Sequence, residues 1–117
     1  MLLHVIDLPN QLPHDAAIVS GSDGGQISIK DYAINSAEVH LKDLAARLAK
    51  DGVNATTFVR LGSTVDEINR FVDENAVNLI VMGTHGHTGI RAFLAGSVTE
   101  KVVRSAKVPV LTVRHPD

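Results

Sequence analysis

The chain has 117 residues, of which 44% are hydrophobic and 21% charged, a composition that predicts a single domain over residues 1–117. Eleven basic and thirteen acidic residues give a net charge of -2, so the chain lacks the basic excess that nucleic-acid binding by phosphate neutralisation needs. The sequence contains no cysteine, which excludes disulfides, thiolate nucleophiles and cysteine-ligated zinc.

The first residues carry no targeting pattern. Residues 1–8 are apolar but too few to cross a membrane, and they include His4 and Asp7 without a basic flank. This pattern favours neither a secretory signal peptide nor a transmembrane helix. We therefore expect a cytoplasmic protein with neither a membrane nor a nucleic acid as partner.

The N-terminal half begins with a strand pattern and continues with a helix pattern. Residues 2–8 form an almost continuous apolar run closed by Pro9, as in a strand buried on both faces. Residues 9–29 are rich in Pro, Gly, Ser and Asp and predict a long loop. Residues 30–51 have apolar positions at steps of three and four, followed by Gly52, which predicts an amphipathic helix with a glycine stop. Its predicted inward face comprises Ile34, Ala37, Leu41, Leu44, Ala45 and Leu48.

A second strand and helix follow. Residues 55–61 are rich in β-branched residues and predict a strand. Thr64 and Glu67 have the spacing of a capping box, which predicts a helix that ends near Asn75. The predicted inward residues of this helix are Val65, Ile68 and Val72.

The C-terminal part continues the alternation of predicted strands and helices. Residues 78–82 and 108–113 are short apolar runs that predict buried strands. Ser97 and Glu100 have the spacing of a capping box, which predicts that a helix begins here, between the two strands. The alternation predicts an α/β fold with an open, mainly parallel sheet and flanking helices, which binds ligands beyond the carboxyl ends of its strands. The predicted inward face of the last helix comprises Val98, Val102, Val103 and Ala106.

Glycines follow the strand at residues 78–82. Gly83 and Gly86 leave this strand, and Gly96 precedes Ser97 at the predicted helix start. The first turn of a helix has unpaired amides and a positive dipole end, so it suits a phosphate group. The spacing matches neither G-x-G-x-x-G nor the Gly-Lys-Ser/Thr loop. These residues by themselves therefore leave a phosphate site and a simple helix cap as alternatives.

The same residues reproduce a longer pattern. Gly83, Gly86, Gly96 and Ser97 read G-x2-G-x9-G-[ST], and the sequence resembles the nucleotide-binding branch of the universal stress protein family. The resemblance implies ATP or a related adenine nucleotide as the ligand, without support for Mg²⁺. Similarity to this family extends over residues 2–7, 30–76, 78–86, 94–102 and 108–113.

The resemblance also assigns roles. It implies that Val5 and Met82 line the base, while the glycine loop holds the ribose and phosphates. The binding residues that it implies are Val5, Met82, Gly83, Thr84, His85, Gly86, Gly96, Ser97, Val98 and Thr99.

One feature of the family pattern is missing from this sequence. Family members normally begin with a strand that ends in a Pro-x-Asp-Gly-Ser loop and is followed by a helix, so we expect an N-terminally truncated version of the fold. In the family that this sequence resembles, that loop contributes to the adenosine side of the pocket. The alternatives are a fragment, or a remodelled sheet in which residues 2–8 pair with residues 78–82.

The histidines of the loop do not indicate a metal or a catalytic centre. His85 and His87 are two positions apart with no neighbouring carboxylate, and His85 has no identifiable acid or base partner. We therefore predict no catalytic residue and no metal ligand.

Three functions are compatible with these patterns. The leading hypothesis is a stress-response regulatory module that binds ATP, forms a homodimer through residues 108–113, acts on an unknown protein partner and hydrolyses little or no nucleotide. The alternatives are a slow ATPase or phosphotransferase, and a ligand-free structural or interaction dimer.

Overall fold

The computed structural model describes residues 1–8, 17–20, 25–83 and 97–114, and the chain forms two compact units, Met1–Ser63 and Thr64–Asp117. Helices accompany parallel strand pairs in both units, which confirms the predicted α/β class. The single domain over residues 1–117 stays a prediction. The elements are β1 (Leu2–Ile6), β2 (Ala17–Ser20), β3 (Gly25–Ser28), α1 (Ile29–Lys50), β4 (Thr57–Leu61), α2 (Thr64–Glu74), β5 (Ile80–Gly83), α3 (Val98–Ser105) and β6 (Val110–Val113).

The first unit contains the parallel pair β1–β4. The register runs from Leu2 opposite Thr57 to Ile6 opposite Leu61. A hydrogen bond of 2.9 Å from the Gly62 amide to the Ile6 carbonyl continues the pairing one residue beyond the end of β4. Helix α1 contacts both strands, as a crossover between parallel neighbours requires. This part of the chain therefore contains two parallel strands, β1 and β4, with α1 packed against both of them.

Helix α1 begins and ends at the residues that its sequence dictates. The Ser28 side chain accepts a hydrogen bond from the Asp31 amide at 3.0 Å and caps the first turn. At the other end, Gly52 has a φ of 81°, and the Gly52 and Val53 amides bond to the Ala49 and Leu48 carbonyls, each at 3.0 Å. This is a Schellman motif, and it confirms the predicted glycine stop.

The inward face of α1 is also as predicted. Ala37 and Leu41 are buried, and the other four predicted positions are half-buried. The exposed residues Tyr32 and Val39 lie on the remaining surface of the helix. A period of three and four was therefore sufficient to identify the residues that face the strands.

The prediction of a loop over residues 9–29 was wrong in its described part. Strands β2 and β3 form an antiparallel pair, with Ala17 opposite Ser28 and Ser20 opposite Gly25. Ile18, Val19 and Ile27 supply β-branched residues, which favour strands, on either side of a segment rich in Gly, Ser and Asp. The cluster of turn residues dominated the composition and concealed two short strands.

The second unit contains the parallel pair β5–β6 and the helices α2 and α3, which contact each other. Among the residues of this unit that the structure describes, the buried apolar ones are Phe71, Val72 and Val102. Glu67 is also buried, and its Oε2 accepts a hydrogen bond of 2.5 Å from the Arg70 Nη1. The Arg70 guanidinium thus compensates the burial of this carboxylate. Among the helices that the structure describes, none has both the length and the apolar character needed to cross a bilayer.

Two details of the predicted helices differ from the structure. Helix α2 includes Thr64 as its first residue, which leaves Ser63 rather than Thr64 in the cap position. In α3, Val98 and Val103 are exposed although they were predicted to face inward, whereas Val102 is fully buried. Consecutive residues of a helix point about 100° apart, so Val102 and Val103 cannot share one narrow buried stripe.

Candidate functional site

The candidate site lies where β5 ends and α3 begins. Gly83 is the last residue of β5, and Ser97 is the N-cap of α3. The Thr99 Oγ1 donates a hydrogen bond of 2.8 Å to the Gly83 carbonyl oxygen, which joins these two ends directly. The carboxyl end of a parallel strand and the N-terminus of a helix therefore meet at one place, the usual position of a ligand in α/β proteins.

The first turn of α3 has amides that remain without an acceptor inside the helix. The Ser97 side chain accepts from the Glu100 amide at 3.1 Å, and the Ser97 carbonyl accepts from the Lys101 amide at 3.0 Å. The Val98 and Thr99 amides precede the first intrahelical bond, so their donors point out of the helix end. Together with the dipole, these two amides can hold an anionic oxygen.

One acidic side chain opposes an anion at this place. Glu100 lies in the first turn of α3, and its Oε1 accepts from the Arg104 Nη2 at 2.7 Å. The Glu100 side chain is mostly covered, with 24% exposed, while Arg104 is 76% exposed. The positive charge of Arg104 offsets the negative charge of the Glu100 carboxylate. This pair was not predicted from the sequence, although Glu and Arg four residues apart on a helix are its usual signal.

The strand pair β5–β6, which ends at this junction, has apolar side chains on both of its faces. Met82 is half-buried and lies opposite Thr112, while Val81 lies opposite Leu111 on the other face of the two strands. Leu79 and Val113 share the face of Val81 and Leu111, and all four are about half exposed. This group of four residues is the exposed apolar face of the second unit.

The structure brings together part of the predicted binding set. Gly83 and Thr99 are hydrogen-bonded, Ser97 and Val98 adjoin Thr99, and Met82 precedes Gly83. Val5 belongs to the first unit, where it is half-buried and lies opposite Arg60 in the β1–β4 register. Its role at the base stays a prediction. Four further members lie outside the described residues: Thr84, His85, Gly86 and Gly96.

The fold and the candidate site together define a class of protein. The chain is an α/β protein in which a parallel strand delivers its carboxyl end to a capped helix N-terminus. The model of the universal stress protein family matches residues 1–114, so the chain belongs to the universal stress protein family.

Individual relatives agree with this assignment. The universal stress protein MJ0577 of Methanocaldococcus jannaschii is 28% identical over 98% of this chain and 76% of its own length. The universal stress protein YxiE of Bacillus subtilis is 36% identical over 86% of this chain and 73% of its own length. The chain spans a smaller share, 56%, of the universal stress protein MJ0531 of M. jannaschii, with 34% identity over 81% of this chain.

A solved structure supports the fold as well as the family. The structure of MJ0577, described as a structure-based assignment of that protein's biochemical function, superposes with a TM-score of 0.72 at 26% identity. The match covers 99% of this chain and 75% of the MJ0577 chain. The α/β fold predicted from the sequence is thus shared with a member of the family.

Proposed function

We propose that this universal stress protein binds ATP or a related adenine nucleotide at the junction of β5 and α3 and acts as a regulatory module in the stress response. The observation that carries the proposal is the hydrogen bond between Thr99 and Gly83, which holds a capped helix N-terminus against the end of a parallel strand. The glycine pattern that begins at Gly83 and ends at Ser97 supports the same ligand.

The described residues fit the phosphate part of such a ligand. The Val98 and Thr99 amides supply two donors, and a phosphate needs donors because its oxygens only accept. The Arg104 guanidinium engages the carboxylate of Glu100, the acidic residue in the first turn of α3. Binding requires no general base at this place, so the proposal is a nucleotide-responsive module with little hydrolysis. The cytoplasmic location expected from the sequence belongs to the same proposal.

The charge of the residue at position 97 tests the phosphate site. Asp and Asn are both good helix caps and nearly equal in size, so Ser97→Asp and Ser97→Asn should both keep the start of α3. Only the aspartate adds a negative charge beside the phosphate, and we expect it to weaken ATP binding by roughly tenfold to a hundredfold. Isothermal titration with ATP measures the affinity of the parent and both variants.

The two variants serve as controls for each other. Ser97→Asn should bind ATP within about threefold of the parent, because it keeps the cap and stays neutral. Equal affinities for Ser97→Asp and Ser97→Asn would show that no phosphate lies near position 97. That result would contradict the proposed site even if the chain bound ATP elsewhere.

The exposed apolar face supports a second part of the proposal, a homodimer formed through the last strand. In the described residues β6 is hydrogen-bonded to β5 on one side, and Leu111 and Val113 are about half exposed. An apolar edge strand of this kind favours pairing with another strand. If the nucleotide site were inactive, this dimer would be the remaining function, namely a structural or interaction module.

Leu111→Lys tests the dimer. Pairing across a two-fold axis places the new charges of both protomers near each other, so we expect the mass in solution to fall from that of two chains to that of one. Light scattering coupled to size-exclusion chromatography measures this mass. Val39→Lys, which changes the 69% exposed residue of α1, is the matched control and should remain a dimer. A Leu111→Lys protein with the mass of the parent dimer would exclude β6 as the interface.

A further inference from the structure

The Thr99 hydroxyl can donate one hydrogen bond, and in the structure it donates to a backbone carbonyl. A threonine hydroxyl is a single donor, and here it donates to the Gly83 carbonyl oxygen at 2.8 Å. Phosphate oxygens are acceptors, so a hydroxyl committed in this way has no proton left for a phosphate. The ligand donors that remain at this position are the backbone amides of Val98 and Thr99.

We infer that Thr99 is a positioning residue, which sets the direction of the α3 amides by anchoring the first turn of the helix to the end of β5. This inference rests on the proposed nucleotide site, for which the family resemblance implied Thr99 as a binding residue without distinguishing its side chain from its backbone. In this arrangement the side chain of Thr99 bonds to the protein, and its backbone amide remains available to bind the ligand.

The position of Thr99 explains why one hydrogen bond can have this effect. Thr99 is the second residue of α3, one position after Val98. Gly83, the acceptor, is paired with Val113 in the β5–β6 register, so it belongs to a hydrogen-bonded ladder rather than to a free end. Fixing Thr99 on Gly83 therefore orients the amide end of α3 relative to the strands. Sixteen positions separate the two residues, so the bond also closes a long segment.

Two substitutions at position 99 separate this role from a direct contact. Thr99→Val keeps the shape of the side chain and removes the donor, whereas Thr99→Ser keeps the donor. The readouts are the carbonyl carbon resonance of Gly83 and the amide resonance of Val98 in nucleotide-free protein, together with the affinity for ATP. Ser105→Ala is the control at the far end of the same helix, where it removes a hydroxyl that donates to the Lys101 carbonyl and accepts from the Asn69 Nδ2, each at 2.8 Å.

We expect Thr99→Val to move both resonances in the absence of nucleotide and to weaken ATP binding about threefold to tenfold, the effect of one neutral hydrogen bond. Thr99→Ser should restore the resonances and the affinity, and Ser105→Ala should change neither. If Thr99 contacted the phosphate instead, Thr99→Val would weaken binding while the Gly83 resonance of the free protein stayed in place.

The remaining outcomes are distinct. An unmoved Gly83 resonance in Thr99→Val, with ATP binding intact in the parent, would overturn the positioning role alone. A moved resonance with unchanged ATP affinity would also overturn it, since the bond would then be structural only. A parent chain that binds no ATP would defeat the proposed function and, with it, any role of Thr99 in binding.

Discussion

Val102→Asp is expected to lower the free energy of unfolding by several kcal/mol. Val102 is fully buried in α3, with 0% of its surface exposed. A carboxylate at this position loses its water, which costs several kcal/mol even after the group takes up a proton. Since the whole free energy of unfolding of a domain is about 5–15 kcal/mol, one such substitution removes much of it. Circular dichroism during a urea titration measures the loss.

Val103→Asp is the matched control for this prediction. Val103 is the next residue of the same helix and is 51% exposed, so the same chemical change leaves the new carboxylate in water. Its free energy of unfolding should lie within about 0.5 kcal/mol of the parent value, as for most surface substitutions. Equal urea midpoints for Val102→Asp and the parent would show that α3 does not pack through Val102.

Phe71→Ala is expected to have the second largest effect. Phe71 is the largest buried apolar residue of α2, with 3% of its surface exposed. Truncation to alanine removes the ring and leaves a cavity, which costs about 3–5 kcal/mol in a packed core. The backbone contacts at the end of α2 should persist, because the Phe71 carbonyl still accepts from Asn75. The decrease in the free energy of unfolding therefore measures the packing of the Phe71 ring.

The control for Phe71→Ala is an exposed aromatic residue on a helix. Tyr32 of α1 is 51% exposed, and Tyr32→Ala should lower the free energy of unfolding by less than about 1 kcal/mol. Urea denaturation followed by circular dichroism compares the two variants under the same conditions. Similar losses for Phe71→Ala and Tyr32→Ala would contradict the assignment of Phe71 to the core.

Both core substitutions bear on the proposed site. Val102 lies five residues after Ser97 on the same helix, and α3 contacts α2, the helix of Phe71. The amides of Val98 and Thr99 keep their direction only while α3 stays packed. Loss of ATP binding in these variants would therefore follow from unfolding. The charge and hydroxyl variants at positions 97 and 99 are needed to examine the site itself.

The sequence predicted the helices best because helix formation leaves strong local signals. The period of apolar residues and the glycine at position 52 located α1 to within one residue at each end. The cap of α3 was predicted from Ser97, whose side-chain oxygen accepts a hydrogen bond from the Glu100 amide. Caps and periods depend on neighbours three or four positions away, so a single sequence contains them.

Features that depend on distant residues were not predictable in the same way. The bond from Thr99 to Gly83 joins residues 16 positions apart, and no local pattern requires it. The antiparallel pair of β2 and β3 was missed because Gly, Ser and Asp dominate the neighbouring sequence, and strands of four residues show little alternation. The exposure of Val103 depends on what packs against α3, which its own sequence does not specify.

Nucleotide retention by the purified chain shows whether the junction of β5 and α3 binds ATP. The 117-residue chain is purified without added nucleotide and denatured, and the released small molecules are identified by mass spectrometry beside the Ser97→Asp variant. We predict an adenine nucleotide in the parent sample and its loss from the variant. An absence of nucleotide from a folded parent chain that also fails to bind added ATP would contradict the claim, and the dimer through β6 would then be the function to pursue.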